Sequence, residues 1–170
     1  MSEESFHKVQ YQQLGYTIFT NAVSKHLIGA MRSKVFAARD CELIGGDEST
    51  HSWREFPLAA SDLPSEPVLK EYLASVLPLA SIRIVHWLNI YRVDEYIEAH
   101  VDAGGEAQLM IPIEIPPSGG GGEIWIGANE RLLPLGVGDA LLFAAHRVQH
   151  GTTKVLDGQR VSLNARMWMH

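Results

Sequence analysis

The chain is poor in several things, and each shortage excludes something. Of 170 residues only Cys41 is a cysteine, so no intrachain disulfide can form, which fits a reducing compartment such as the cytoplasm. No run approaches the ~20 apolar residues that a membrane span needs, so no membrane partner is expected. The opening residues MSEESFHKVQ are polar and lack the apolar centre of a secretory leader. Cations are outnumbered, 14 Lys and Arg against 20 Asp and Glu, for a net charge of −6. Broad nucleic-acid binding wants a basic face, so this balance argues against a nucleic-acid partner.

What is present suits one globular domain over residues 1–170, large enough to bury roughly 70% of its unfolded surface. Residues 15–20 (GYTIFT) read as a short strand. Asn21 is placed to cap a helix over 22–39, with Val23, Leu27, Ile28, Met31 and Val35 at helical spacing. Residues 40–64 look loop-rich; with His51, Trp53 and Arg54 they are a candidate lid, a solvated loop being the alternative. Ser65 and Pro67 open a second helix ending near Pro78.

Past residue 80 the texture changes to strand-like runs: IRIVHWLNIYRV, QLMIPIEI, EIWIG, DALLFA and RVSLNARMW. Glycine- and proline-rich turns separate them, among them the four glycines 119–122. Helices first, then short strands without βα alternation, predict an α+β, mainly β fold. The expected form is a double-stranded β-helix (jelly-roll) barrel over about 81–170, with helical support from about 1–80 packed against it.

His100-Val101-Asp102 and the later His150 are the ligand types of a 2-His-1-carboxylate triad, which holds Fe(II) on one face and leaves the other open. In a strand, residues i and i+2 share a face, so His100 and Asp102 can reach one metal. A hydrogen-bonded pair at a strand end is the plainer reading of the dipeptide alone. A zinc pair His146-xxx-His150 is a rival, but it lacks the glutamate of a helical metalloprotease motif. In the last strand Arg160, Ser162, Asn164, Arg166 and Trp168 alternate with apolar residues, so the polar set shares one face.

The order His100-x-Asp102, Gly122-Glu123, Pro134 to Phe143 with Gly138-Asp139, His150, Gly158 and Arg160-x-Ser162 resembles the Fe(II)/2-oxoglutarate-dependent oxygenase superfamily over roughly residues 85–168. The resemblance looks nearest to its prolyl-hydroxylase-like and small-molecule hydroxylase members. It implies that His100, Asp102 and His150 are the catalytic iron ligands. It also implies that Arg160 and Ser162 bind the distal carboxylate of 2-oxoglutarate, with Asn89 and Tyr91 contacting the same co-substrate. Gln108 is a further inward-pointing candidate there. With Asp102 present, the resemblance favours oxygenation over halogenation, using O₂, with ascorbate as a supporting reductant.

The expected enzyme is thus a dioxygenase that hydroxylates or otherwise oxidises a small metabolite or amino-acid-like substrate, releasing succinate and CO₂. Arg166 is a candidate for a substrate carboxylate, or else a structural partner of Glu98 or Glu114. Trp168, Trp125 and Trp87 are candidate pocket walls or plain core. Two alternatives stay open. One is an AlkB-like oxidative demethylase of nucleic acid, since Arg160 and Arg166 are six apart as in that group. The other is a cupin-like barrel that binds without catalysis.

Overall fold

The alternation in the last strand decides the architecture, because it gives one strand two different faces. A computed structural model describes residues 3–37, 44–45, 54–59, 61, 66–78 and 82–169. Within them the elements run α1 (Glu3–Leu14), β1 (Tyr16–Phe19), α2 (Lys25–Ala37), β2 (Ile44–Gly45), β3 (Arg54–Leu58), α3 (Pro67–Val76) and β4 (Ile82–Tyr91). There follow β5 (Ile97–His100), β6 (Ala107–Glu114), β7 (Ile124–Ile126), β8 (Arg131–Leu132), β9 (Ala140–Phe143), β10 (His150–Thr152) and β11 (Arg160–Met169). They form a seven-stranded sheet, β1-β9-β6-β11-β4-β3-β2, and a four-stranded sheet, β5-β10-β7-β8, in which all pairings are antiparallel. The expected barrel is therefore two sheets, with no closed ring of strands among the described residues.

On one face of the large sheet, Val161, Leu163, Ala165 and Met167 of β11 join Leu88 and Ile90 of β4 and Leu109 and Ile111 of β6. Leu27, Ile28, Met31 and Val35 of α2 and Leu69 of α3 cover them, which builds the main core. The spacing foreseen for α2 thus points where it should. On the other face Met110, Leu141 and Phe143 pack against Ile124 and Ile126 of the small sheet and Leu133 just beyond it. β6 and β9 are covered on both sides, which is why they read as unbroken apolar runs rather than alternating ones. Pro112 has no amide hydrogen for the ladder, and the β6–β11 register shifts beside it, between Val161 and Ser162.

Three expectations need correcting. Asn21 is not the cap of α2: it sits at φ 51°, and its N–H donates to Asp139 Oδ1. Ser24 caps instead, its Oγ accepting the N–H of Leu27 at 3.1 Å. α1 was not foreseen, because its larger apolar residues Phe6, Val9 and Leu14 are exposed and form no inward stripe. It is held by His7, whose Nδ1 is 2.9 Å from Thr17 Oγ1, and by Gln10, whose Oε1 accepts from the same hydroxyl. Finally, the segment 40–64 is not all loop: β2 and β3 extend the large sheet, with Arg54–Leu58 paired to His86–Ile90. His51 and Trp53, named for a lid, lie outside the described residues. Among those described, no helix is long and apolar enough to cross a membrane.

Candidate metal centre

His100 ends β5 and His150 begins β10, and the two are cross-strand partners. This register brings their rings to a centroid separation of 4.2 Å. Asp102 lies just beyond β5, its N–H fixed on Ala145 O at 2.9 Å. His100 Nε2 is 3.6 Å from Asp102 Oδ1, and His150 Nε2 is 3.7 Å from Asp102 Oδ2. One ligand atom from each of the three residues lies within 4.8 Å of the others.

The tautomers follow from the neighbours. His100 Nδ1 is 2.9 Å from Glu98 O, and His150 Nδ1 is 2.9 Å from Val148 O. A carbonyl only accepts, so each Nδ1 carries a proton, which makes Nε2, turned toward Asp102, the nitrogen through which each ring can ligate a metal. Burial, reinforced by His100, pushes the His150 pKa down to about 4, against the pull of the Val148 carbonyl and Asp102. His150 is thus a neutral donor at physiological pH. Asp102 Oδ2 is buried without a hydrogen bond, though it forms an ion pair with Arg166. Two imidazole lone pairs and an under-satisfied carboxylate oxygen at this separation fit a divalent transition metal, and the carbonyls behind the rings supply the orienting contacts such ligands take.

These residues open into a cavity of about 390 Å³ between the two sheets. All five polar-face residues of β11 line it, from Arg160 to Trp168, so the period of two gathers them as expected. Asn89, Tyr91 and Gln108 line it as well. Tyr91 pairs with Arg160 and Asn89 with Ser162 across β4 and β11. Arg160 is 4% exposed; its guanidinium lies 5.1 Å over the Tyr91 ring and directs Nη2 at Met110 Sδ, 2.9 Å away. The described residues place no carboxylate against it.

Arg166 does not pair with Glu98 or Glu114. Its Nη2 meets Asp102, and Gln108 Oε1 accepts from Nη2 at 2.6 Å and from Nε at 3.2 Å. Gly105, at φ 79°, makes room: a Cβ there would come within 2.6 Å of Arg166 Cγ. Trp87 and Trp168 line the cavity, but Trp125 does not; it packs against Gly151, where a Cβ would stand 2.4 Å from its ring. His146 is exposed, with Nδ1 3.1 Å from Glu106 O, and takes no part in the cluster, so the zinc pair with His150 is not formed. Sequence reasoning did not single out Met110, Ile97, Thr152 or Glu55, which also line the cavity. Thr152 carried a usable signal, since it follows His150 by two in a strand.

No family model matches the chain, and no curated protein matches it. Solved structures do. A prolyl-4-hydroxylase of Pseudomonas putida superposes with a TM-score of 0.79 at 12% identity, covering 98% of this chain and 99% of that one. The collagen prolyl hydroxylase of Paramecium bursaria Chlorella virus-1, in complex with 2OG, gives 0.69 at 16%, covering 92% and 97%. The epimerase SnoN, in complex with Fe3+, alpha ketoglutarate and nogalamycin RO, gives 0.74 at 14%, covering 98% and 83%. At these identities the shared property is the fold.

Proposed function

We propose that the protein is an Fe(II)- and 2-oxoglutarate-dependent dioxygenase of the jelly-roll oxygenase superfamily, hydroxylating or otherwise oxidising a small metabolite or amino-acid-like substrate. The observation that carries this reading is Arg160, a buried guanidinium without an anionic partner among the described residues, in the same cavity as the His100–Asp102–His150 cluster. A buried cation left unpaired costs several kcal/mol, so the site is built for an anion supplied from outside. A barrel that merely bound a neutral ligand would have no use for it.

Each residue then has a task. His100, Asp102 and His150 would hold the iron, which together with 2-oxoglutarate supplies the chemistry of O₂ activation: one oxygen atom goes to the substrate, the other to succinate, and CO₂ is lost. Arg160 and Ser162 bind and orient the distal carboxylate, and Tyr91 and Asn89 wall the same end. Gln108 fixes Arg166, and Arg166 holds Asp102 in place. The fold shared with prolyl hydroxylases and SnoN supports the reaction class, while their differing substrates leave the choice to the cavity itself.

The test is succinate formation from purified protein with Fe(II), 2-oxoglutarate, O₂ and ascorbate, against panels of amino acids, acids, nucleosides and peptides. Substrate-stimulated succinate release that needs both iron and 2-oxoglutarate is the expected result. The absence, in every condition, of both iron-dependent decarboxylation and 2-oxoglutarate binding would reject the reading. Stimulation by alkylated nucleosides alone would favour the demethylase alternative.

A further inference from the structure

The iron ligands and the Arg160 end account for the inner half of the cavity. Its outer half carries side chains that the proposed reaction leaves unused. Val85 and Trp87 of β4 and Trp168 of β11 line it, and Val85 is 40% exposed, an apolar floor open to solvent. Arg83 is the cross-strand partner of Trp168, with its guanidinium 5.2 Å over the indole. Among the described residues Arg83 has no carboxylate partner, and Trp168 Nε1–H has no acceptor. Arg166 is different: Asp102 and Gln108 already engage it.

The spacing is also informative. Trp87 pairs with Asn164 and Trp168 with Arg83, so the two tryptophans are rooted four register steps apart, their backbone positions offset by about 13 Å along the strands. Val85 and Arg166 lie midway; the Arg166 guanidinium stands 5.4 Å over the Trp87 ring, and the open surface between the two tryptophans is the exposed face of Val85, on which one flat ring system can rest. Glu55, the other acid of the cavity, is opposite Asn89. Six residues of β4, about 20 Å, separate Asn89 from Arg83. Glu106, at the outer end, has its carboxylate on the Met169 N–H and forms no ion pair with Arg83, so among the described residues the Arg83 charge is unmatched.

We propose that this outer half binds a flat, apolar carboxylic acid of the arene type, its ring between Trp87 and Trp168 and its carboxylate taken by Arg83 and the Trp168 indole N–H. Calling that acid the prime substrate rests on the dioxygenase reading; its binding does not.

The experiment is a calorimetric titration of the purified protein, without added iron or 2-oxoglutarate, with 2-naphthoate and with 2-naphthamide as the neutral control. The acid should bind at least tenfold more tightly than the amide. Arg83→Gln, an exposed change that leaves the core intact, should abolish that preference. Trp168→Phe, which keeps a wall but loses the N–H, should reduce it, and Arg160→Ala should leave it in place. Equal affinity for acid and amide would overturn the proposal. So would a preference lost in Arg160→Ala but kept in Arg83→Gln, which would put the acid at the inner end. Failure of succinate release with intact acid selectivity would count against the dioxygenase reading alone.

Discussion

Tyr91 and Arg160 face each other across β4 and β11, with the guanidinium 5.1 Å over the phenol ring and both side chains buried. Burial raises the Tyr91 pKa, so the phenol stays neutral and cannot serve as counter-ion. Burial also lowers the Arg160 pKa from its ordinary value, but a guanidinium starts so high that it remains charged. The ring and the Met110 thioether are weak partners for a cation. Among the described residues no ion pair engages Arg160, which under the proposed function leaves it for a carboxylate brought in from outside.

Removing that cation should be felt in co-substrate binding. Arg160→Ala is expected to raise the 2-oxoglutarate KM roughly 10- to 150-fold, the equivalent of a charge-assisted contact of about 1.5–3 kcal/mol. Steady-state succinate release at varied 2-oxoglutarate measures it. A KM within twofold of the parent protein would mean that another residue holds the carboxylate.

Asp102→Ala should remove most activity and lower the iron content after reconstitution, with the circular dichroism spectrum retained. Elemental analysis alongside turnover checks both halves of this expectation. Zn²⁺, Ni²⁺ or Mn²⁺ should occupy the parent site without supporting turnover, because affinity follows the Irving–Williams order rather than catalytic need.

Arg166→Met keeps much of the side-chain volume but frees Asp102 and Gln108 from their shared partner. The expected cost is roughly 10- to 100-fold in metal affinity or turnover, as for other groups that orient a ligand from behind. The 2-oxoglutarate KM, corrected for metal occupancy, should change less than twofold, which separates this role from that of Arg160. Restoration of metal affinity by Arg166→Lys would indicate that charge alone suffices.

His86 offers a pH test away from the metal cluster. Burial lowers its pKa below the ordinary 6.5, so the folded chain binds its proton less readily than the unfolded chain. Its contribution to stability is full above about pH 6.5 and is lost as the pH falls from there through the lower folded value. Thermal midpoints between pH 7.5 and 5 should fall less steeply in His86→Leu than in the parent. Parallel slopes would show that His86 does not contribute.

The residues that read clearly in the sequence were those governed by local geometry. Alternation along Arg160–Trp168 identified one cavity wall, since a strand puts every second side chain on the same face. His100, Asp102 and His150 were legible by type and order, and β5 and β10 bring them together. What stayed hidden depends on partners far along the chain. The separation of 58 positions between Gln108 and Arg166 conceals their hydrogen bond, and with it the reason Arg166 turns to Asp102. Trp125 looked like a wall because aromatics often are, but its place against Gly151 comes from strand pairing alone. α1 escaped notice because one buried histidine, rather than an apolar stripe, anchors it.

The short strands of the small sheet bear on where the molecule opens. β5 has four residues and β10 three, whereas β4 and β11 pair over ten. An ion gripped by His100 and His150 would rivet those two short strands together, and its binding energy would add to the free energy of parting them. Amide exchange should then be slowed by metal chiefly in residues 97–102 and 150–152, while β4 and β11 exchange slowly with or without it. With a metal bound, the cluster proposed for the chemistry would at the same time be the hasp on the half of the fold built from shorter strands.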